Sequence, residues 1–280
     1  MKVSVISTGS VEIRPDHVRG RRLPMLWWLL TSRRWTAARP INVYVIEHTD
    51  GLVLFDTGQD RRSVTQADYF PKGIVGYFYR RLARFSIGDQ DTLTHRLAAI
   101  GYDVADVRTA VLSHLHQDHI GGIGELPGAQ IVVSAREWRG LSSPFAELDG
   151  ILKDHIVQPG IDWLQVETTP VTDPSIAPFT SAYELTADGS LLLLSTPGHT
   201  PGSMSLLLRE AGVPKLLMVG DLTYDVRLMR DEHVPGVGRR GELLRSTRAV
   251  NQLVERNPGL VVLAAHDPAA VGILASAVGR

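Results

Sequence analysis

Six consecutive residues, His114-Leu115-His116-Gln117-Asp118-His119, put four metal-ligating side chains into one short stretch. Neutral imidazole and carboxylate are borderline-hard donors that suit Zn²⁺ and its first-row neighbours. Three further candidates follow at wide spacing: His199 in STPGHTPGS, Asp221 in MVGDLTY and His266 in LAAHDP. Seven ligands are too many for one ion and suit two, and two ions sharing an activated water make a hydrolase. Ten histidines in 280 residues make chance pairs ordinary. A chance H-x-H-x-D-H at the end of an apolar strand, with three more candidates at strand ends, is not.

The local pattern supports this reading. Thr109-Ala110-Val111-Leu112 is a short apolar strand, and Gly121-Gly122 beyond the motif permits a tight turn. In a strand His114 and His116 would point the same way; in a loop leaving the strand, four ligands can fold around a pair of ions. Loops at strand ends are where layered α/β folds carry their sites.

Composition bounds the alternatives. The chain is 44 % hydrophobic and 21 % charged with a net charge of −1, ordinary for a globular protein and without the basic excess of a nucleic-acid binder. Arginine clusters at Arg19 to Arg22, Arg33-Arg34 and Arg239-Arg240 read as solvated surface. The absence of cysteine removes disulfides, thiolate nucleophiles and Cys-ligated metals, and a cytoplasmic location is expected. No apolar run reaches the roughly 18 residues of a transmembrane helix. Leu23 to Leu30 follows Arg21-Arg22 and loosely mimics a secretory signal. However, residues 2–7 already read as a strand, and no small-residue cleavage site follows.

Strands are expected at 2–7, 11–13, 42–48, 51–56, 108–112, 129–134, 191–194, 204–208, 215–219 and 260–263, with Thr49-Asp50-Gly51 as a hairpin turn. Helices are expected at 91–100, stopped by Gly101, and at 242–256. Residues 59–90 read as irregular and rich in aromatics, and 136–170 carry no clear pattern. Each half is strand-rich with a late helix and a ligand-bearing end. Two such halves facing each other give two central sheets covered by helices. No linker divides them, so residues 1–280 are read as one domain.

The order DTG (Asp56 to Gly58), SHLHQDHIGG (Ser113 to Gly122), TPGHTPGS (Thr196 to Ser203), VGD (Val219 to Asp221) and AHD (Ala265 to Asp267) resembles the metallo-β-lactamase-fold hydrolases. The resemblance runs from about residue 40 to 268. It implies an α/β fold of the αββα sandwich type, with two mixed sheets flanked by helices and a dinuclear centre. On that pattern His114, His116 and His199 hold one metal. Asp118, His119 and His266 hold the other, and Asp221 bridges them. The ions are expected to be zinc, with iron, manganese, cobalt and nickel as alternatives. Asp56 matches an aspartate that orients a ligand histidine or loop; a turn-capping Asp is the plainer alternative.

Asp221-Leu222-Thr223-Tyr224 is similar to the D-x-x-Y arrangement of the N-acyl-homoserine lactonases, where the phenol reaches the substrate carbonyl. The resemblance implies hydrolysis of the lactone ring, and hence quorum quenching, by a metal-bridging hydroxide. Tyr224 would stabilise the oxyanion, and Asp118, or a water it holds, would protonate the leaving alkoxide. Gln117 departs from that subfamily, which often has an aromatic or apolar residue there near the acyl pocket. The aromatic segments Met25 to Trp35 and Tyr69 to Phe85 are candidates for an apolar wall, a homodimer interface or simple packing. The expected partner is a small lactone bearing an acyl chain, with no nucleic acid and no integral membrane segment. A glyoxalase II-like thioesterase, another esterase or phosphodiesterase of this fold, and a non-catalytic protein stapled by its metals are the alternatives.

Overall fold

Side chains alternate across a strand, so a strand buried on both faces sends odd residues to one core and even residues to another. The central strands of this chain do so. A computed structural model describes residues 1–21 and 23–278; Arg22 of the Arg19 to Arg22 cluster lies outside the described residues. The first sheet contains β1 (Val3–Ile13), β2 (Arg39–His48), β3 (Gly51–Phe55), β4 (Ala83–Ser86), β5 (Val107–Val111), β6 (Gln130–Ser134) and β7 (Asp162–Val166). Its spatial order is β4-β1-β2-β3-β5-β6-β7. The second contains β8 (Thr169–Pro170), β9 (Ser181–Glu184), β10 (Leu191–Ser195), β11 (Met204–Glu210), β12 (Val213–Met218) and β13 (Val261–Leu263), in the order β13-β12-β11-β10-β9-β8. Both are mixed: β3, β5, β6 and β7 run parallel, as do β12 and β13, and the remaining pairs are antiparallel.

Three of the cores show the alternation most clearly. Tyr44, Ile46, Val53, Phe55, Val111 and Val132 of the first sheet meet Leu191, Leu193, Leu206, Leu208 and Met218 of the second. Their neighbours Val43, Val45, Leu54, Ala110, Leu112 and Val133 face outward and bury Leu93 and Leu97 of helix Leu93–Ala98. Leu192, Leu194, Leu207 and Leu217 face outward from the second sheet, onto Leu243, Val250 and Leu253 of helix Arg240–Arg256. Helix, sheet, sheet, helix is the αββα sandwich.

Two segments differ from the sequence reading. Residues 2–7 and 11–13 form one strand, β1, whose pairing with β2 slips between Ser7 and Ser10. Gly9 sits there at φ +108, where a Cβ would come within 2.7 Å of the Ser86 carbonyl. Residues 59–90 are not irregular: they contain helices Arg62–Thr65 and Gly73–Leu82 and then β4. Consecutive Tyr77, Phe78 and Tyr79 mask the helical period, because tertiary contacts rather than propensity hold that helix. Tyr79 donates to the Glu147 carbonyl at 2.8 Å. The Arg81 guanidinium caps the end of helix Met25–Thr31 through the Leu29, Leu30 and Ser32 carbonyls. No helix among the described residues is long and apolar enough to cross a membrane.

The sandwich core makes one prediction. Leu193 is fully buried between the sheets. Leu193→Ala should lower unfolding stability by about 2–5 kcal/mol, the range for a buried leucine truncated in a core that only partly relaxes. Chemical denaturation of the metal-loaded protein would measure it, and a loss below about 1 kcal/mol would mean the two sheets do not meet there.

Candidate metal centre

Sheet pairing delivers the ligands to one edge of the sandwich. β5 ends at Val111, and the Leu112 amide still donates to the Val132 carbonyl of β6 at 2.9 Å, so His114 leaves a rigid strand end. His116 opens the helical turn Gln117–Ile120, which turns Asp118 and His119 back. This turn is stitched to the segment after β3. The Thr57 amide and hydroxyl both donate to the His119 carbonyl, at 2.8 and 2.9 Å, and the Gly121 amide donates to the Gly58 carbonyl at 2.7 Å. A Cβ on Gly121 would lie 2.1 Å from the Asp60 nitrogen, so the approach requires glycine.

Asp56 is the hub of this stitching. It is a non-glycine residue in the left-handed region, at φ 63, and only 1 % exposed. Its Oδ1 accepts from the Ser113 amide at 2.7 Å, and its Oδ2 accepts from the Ser113 hydroxyl at 3.0 Å and from His119 Nδ1 at 2.8 Å. A proton held on His119 Nδ1 leaves Nε2 bare and facing the cluster. Two other imidazoles are oriented in the same manner by main-chain oxygens: His266 Nδ1 donates to the Pro40 carbonyl and His116 Nε2 to the Asp149 carbonyl, each at 2.9 Å.

The seven candidate ligands come together in three overlapping groups: His114, His116 and His199; His114, His119 and Asp221; and Asp118, His119 and His266. Asp221 lies between them. Its Oδ2 is 3.3 Å from His199 Nε2, while its Oδ1 is 3.5 Å from His119 Nε2 and 3.4 Å from His266 Nε2. His266 Nε2 is also 3.4 Å from Asp118 Oδ2, and His199 Nε2 is 3.0 Å from His116 Nδ1. Two donors each bound about 2.0–2.1 Å from one tetrahedral ion stand roughly 3.4 Å apart. These spacings are therefore those of neighbouring ligands. His114 Nε2, His119 Nε2 and Asp221 Oδ1 are buried polar atoms with no hydrogen-bond partner in the protein. Orphaned donors converging at such spacing fit a metal centre and little else.

Electrostatics point the same way. Burial and the neighbouring histidines push His114 well below its ordinary pKa, and burial pushes His199 down to about 3, so both offer lone pairs at neutral pH. Burial alone would also depress His119, but the carboxylates of Asp56, Asp221 and Asp118 outweigh it and hold that imidazole well above its ordinary value, so positive charge is favoured at Nε2, as a proton or as a metal cation in its place. Asp56, Asp118 and Asp221 pair only with histidines; no Lys or Arg among the described residues forms a salt bridge with any of them. Buried negative charge of this kind attracts cations.

Tyr224, fully buried, donates to Asp221 Oδ2 at 2.5 Å. Gln117 lies half-buried on the turn beside Asp118. Three participants are not among the candidate site residues read from the sequence. Ser113 links Asp56 to His114, its hydroxyl lying 2.9 Å from His114 Nδ1. Glu137, 2 % exposed and far from the motifs, ties two ligand loops together. It accepts from the Leu115 amide at 3.2 Å, the Thr200 hydroxyl at 2.8 Å and the Gly202 amide at 2.8 Å. His17 touches the Tyr224 phenol from the opposite end of the chain.

Comparison with known proteins agrees with this architecture. The family model described as Metallo-beta-lactamase superfamily matches residues 36–266. The N-acyl homoserine lactonase AttM of Rhizobium johnstonii is 30 % identical over 235 residues, covering 82 % of this chain and 83 % of that protein. A probable metallo-hydrolase of Mycobacterium tuberculosis is 32 % identical over 244 residues, 81 % of this chain and 74 % of its own. Among solved structures, a mutant of Bacillus thuringiensis AiiA with N-decanoyl-L-homoserine bound at its active site superposes with a TM-score of 0.74. It is 24 % identical and covers 95 % of this chain and 93 % of that one.

Asp56 provides the prediction of this geometry. Asp56→Asn keeps one acceptor for Ser113 but turns an amide toward His119 Nδ1. Metal affinity should fall about 10- to 100-fold, as when other partners that orient a ligand histidine are replaced. Competition with a chromogenic chelator would read this, and unchanged affinity would reduce Asp56 to a turn residue.

Proposed function

The chain belongs to the metallo-beta-lactamase superfamily, and on that premise we propose that it is a metal-dependent hydrolase opening the ring of N-acyl homoserine lactones. The observation that carries the reading is the pair of contacts at Asp221. Its two oxygens face two separate ligand groups, and the phenol of Tyr224 rests on one of them. Curated relatives that bear the lactonase name cover four-fifths of the chain, which supports the substrate class.

In this reading His114, His116 and His199 hold one divalent cation, Asp118, His119 and His266 a second, and Asp221 both. Zinc suits the nitrogen-rich donor set, with iron, manganese, cobalt and nickel as alternatives. When bound, two such ions supply Lewis acidity that lowers the pKa of water and offsets negative charge on a carbonyl oxygen. The chain's own groups do the rest. Tyr224 donates its phenol proton to the carbonyl oxygen as charge develops there. Asp118, at 15 % the most exposed carboxylate of the cluster, takes a proton from the attacking water and returns one to the departing ring oxygen. The acyl–oxygen bond of the ring breaks, leaving a hydroxyl and a carboxylic acid that releases its proton.

The acyl chain is assigned to the side of helix Met25–Thr31, whose buried Trp28 lies 6.3 Å from the His17 ring beside Tyr224. Trp27, Leu26 and Ile74, exposed on helices Met25–Thr31 and Gly73–Leu82, form the face through which a homodimer would assemble. Residues 1–280 act as one domain in a cytoplasmic setting.

Proton release makes the test direct. A pH-indicator assay of metal-loaded protein against lactones, thioesters, phosphodiesters and β-lactams should show brisk hydrolysis of acylated homoserine lactones. A preference for thioesters or phosphodiesters would reject the substrate class. Tyr224→Phe should lower kcat for lactones about 10- to 100-fold with both metals retained. That is below the roughly 10²–10³ of a lone oxyanion donor, because a metal shares the task. Asp221→Ala should instead lose activity and metal together, whereas His233→Ala, outside the cluster, should keep its metals.

A further inference from the structure

The Tyr224 phenol has one proton and two hydrogen-bond neighbours. Asp221 Oδ2 lies 2.5 Å from the phenol oxygen and His17 Nε2 lies 3.0 Å from it. An anionic carboxylate at the shorter distance takes the proton. The second contact is then a hydrogen bond only if His17 carries its own proton on Nε2 and donates it into a phenol lone pair. That leaves His17 Nδ1 bare, and Nδ1 is indeed a buried atom with no partner. From these contacts we infer that His17 is the positioning residue of Tyr224: its Nε2–H anchors the phenol oxygen while the phenol hydrogen swings from Asp221 to the substrate carbonyl.

The surroundings hold the anchor still. His17 is 6 % exposed and lies 207 residues from Tyr224 in sequence. Its short helical turn, Pro15–Val18, is fastened to the far side of the site by main-chain bonds. The Gly236 amide donates to the His17 carbonyl and the Gly20 amide to the Val234 carbonyl, both at 2.9 Å. A Cβ on Gly236 would sit 2.0 Å from the Asp16 carbonyl, so this seam also requires glycine. The phenol ring is clamped between His17, edge-on at 5.0 Å, and His266, stacked at 5.4 Å. Ring position is therefore fixed by packing, and His17 Nε2–H adds the orientation of the oxygen. A donor feeding a hydroxyl oxygen also strengthens that hydroxyl as a donor in turn. Burial pushes the His17 imidazole down to about 4, so it serves as a neutral donor across the physiological range.

This role rests on the proposed part of Tyr224 in lactone opening, and a double-mutant cycle separates the two. Lactonase kcat, bound metal and thermal melting would be measured for His17→Phe, His17→Gln, Tyr224→Phe and the His17→Phe/Tyr224→Phe pair. The expected results are a 3- to 10-fold fall in kcat for His17→Phe with both metals kept, most of the rate restored in His17→Gln, and no further loss when His17→Phe is added to Tyr224→Phe. If Tyr224→Phe is slow but the two losses multiply, His17 acts independently of the phenol and the inference falls alone. Full activity in Tyr224→Phe would remove the reading of Tyr224 and the anchor with it. A wild-type kcat in His17→Phe would also overturn the inference. Should the His17 variants fail to fold, ¹⁵N NMR of the wild-type protein still decides. The His17 resonance must show Nε2 protonated and Nδ1 bare, and the opposite tautomer contradicts the anchor.

Discussion

A buried cluster of negative charge without a cationic side chain governs this structure. Asp56, Asp118 and Asp221 stand together, none paired with Lys or Arg among the described residues; apart from Ser113 on Asp56 and the Tyr224 phenol on Asp221, imidazoles face them. An isolated buried carboxylate costs several kcal/mol even after relaxation, so the arrangement is tolerable only with compensating positive charge. The rest of the fold exists around that need. Two sheets buried on both faces make a stiff frame, and every candidate ligand leaves it at or just after a strand end, at one edge.

Stiff strands alone would not align loops drawn from both halves of the chain. Two buried carboxylates serve as staples. Asp56 joins the segment after β3 to Ser113 and His119, and Glu137 joins Leu115 to Thr200 and Gly202. Asp56 adopts a positive φ to do so, a conformation that costs an ordinary residue of order 1 kcal/mol or more. Glycines at 58, 121 and 202 let the staples close, since a Cβ on any of them would collide with a neighbouring segment. Carboxylates that accept several main-chain N–H bonds are well satisfied when buried, unlike those turned toward the ligands.

Much of this was legible in the sequence for physical reasons. Ligand chemistry admits few residue types, so the H-x-H-x-D-H run and the lone His199, Asp221 and His266 stand out, and the structure brings all seven side chains together. Strands such as Leu191–Ser195 and Met204–Glu210 run apolar because both faces are buried over most of their length, and the helix Arg240–Arg256 shows its period because one face is wet. Contacts between distant segments left no such trace. His17 reaches Tyr224 across 207 residues, and Glu137 spans 63 to Thr200, with no periodicity to announce either. Helix Gly73–Leu82 was hidden because its aromatics read as irregular and its stabilising partner, helix Met25–Thr31, lies elsewhere in the chain.

The central claim is that the cluster exists to hold two cations, and counting them tests it most directly. Elemental analysis of protein purified without chelator should find about two divalent ions per chain, because two ligand groups share Asp221. Full lactonase activity in protein carrying no stoichiometric metal would contradict the account.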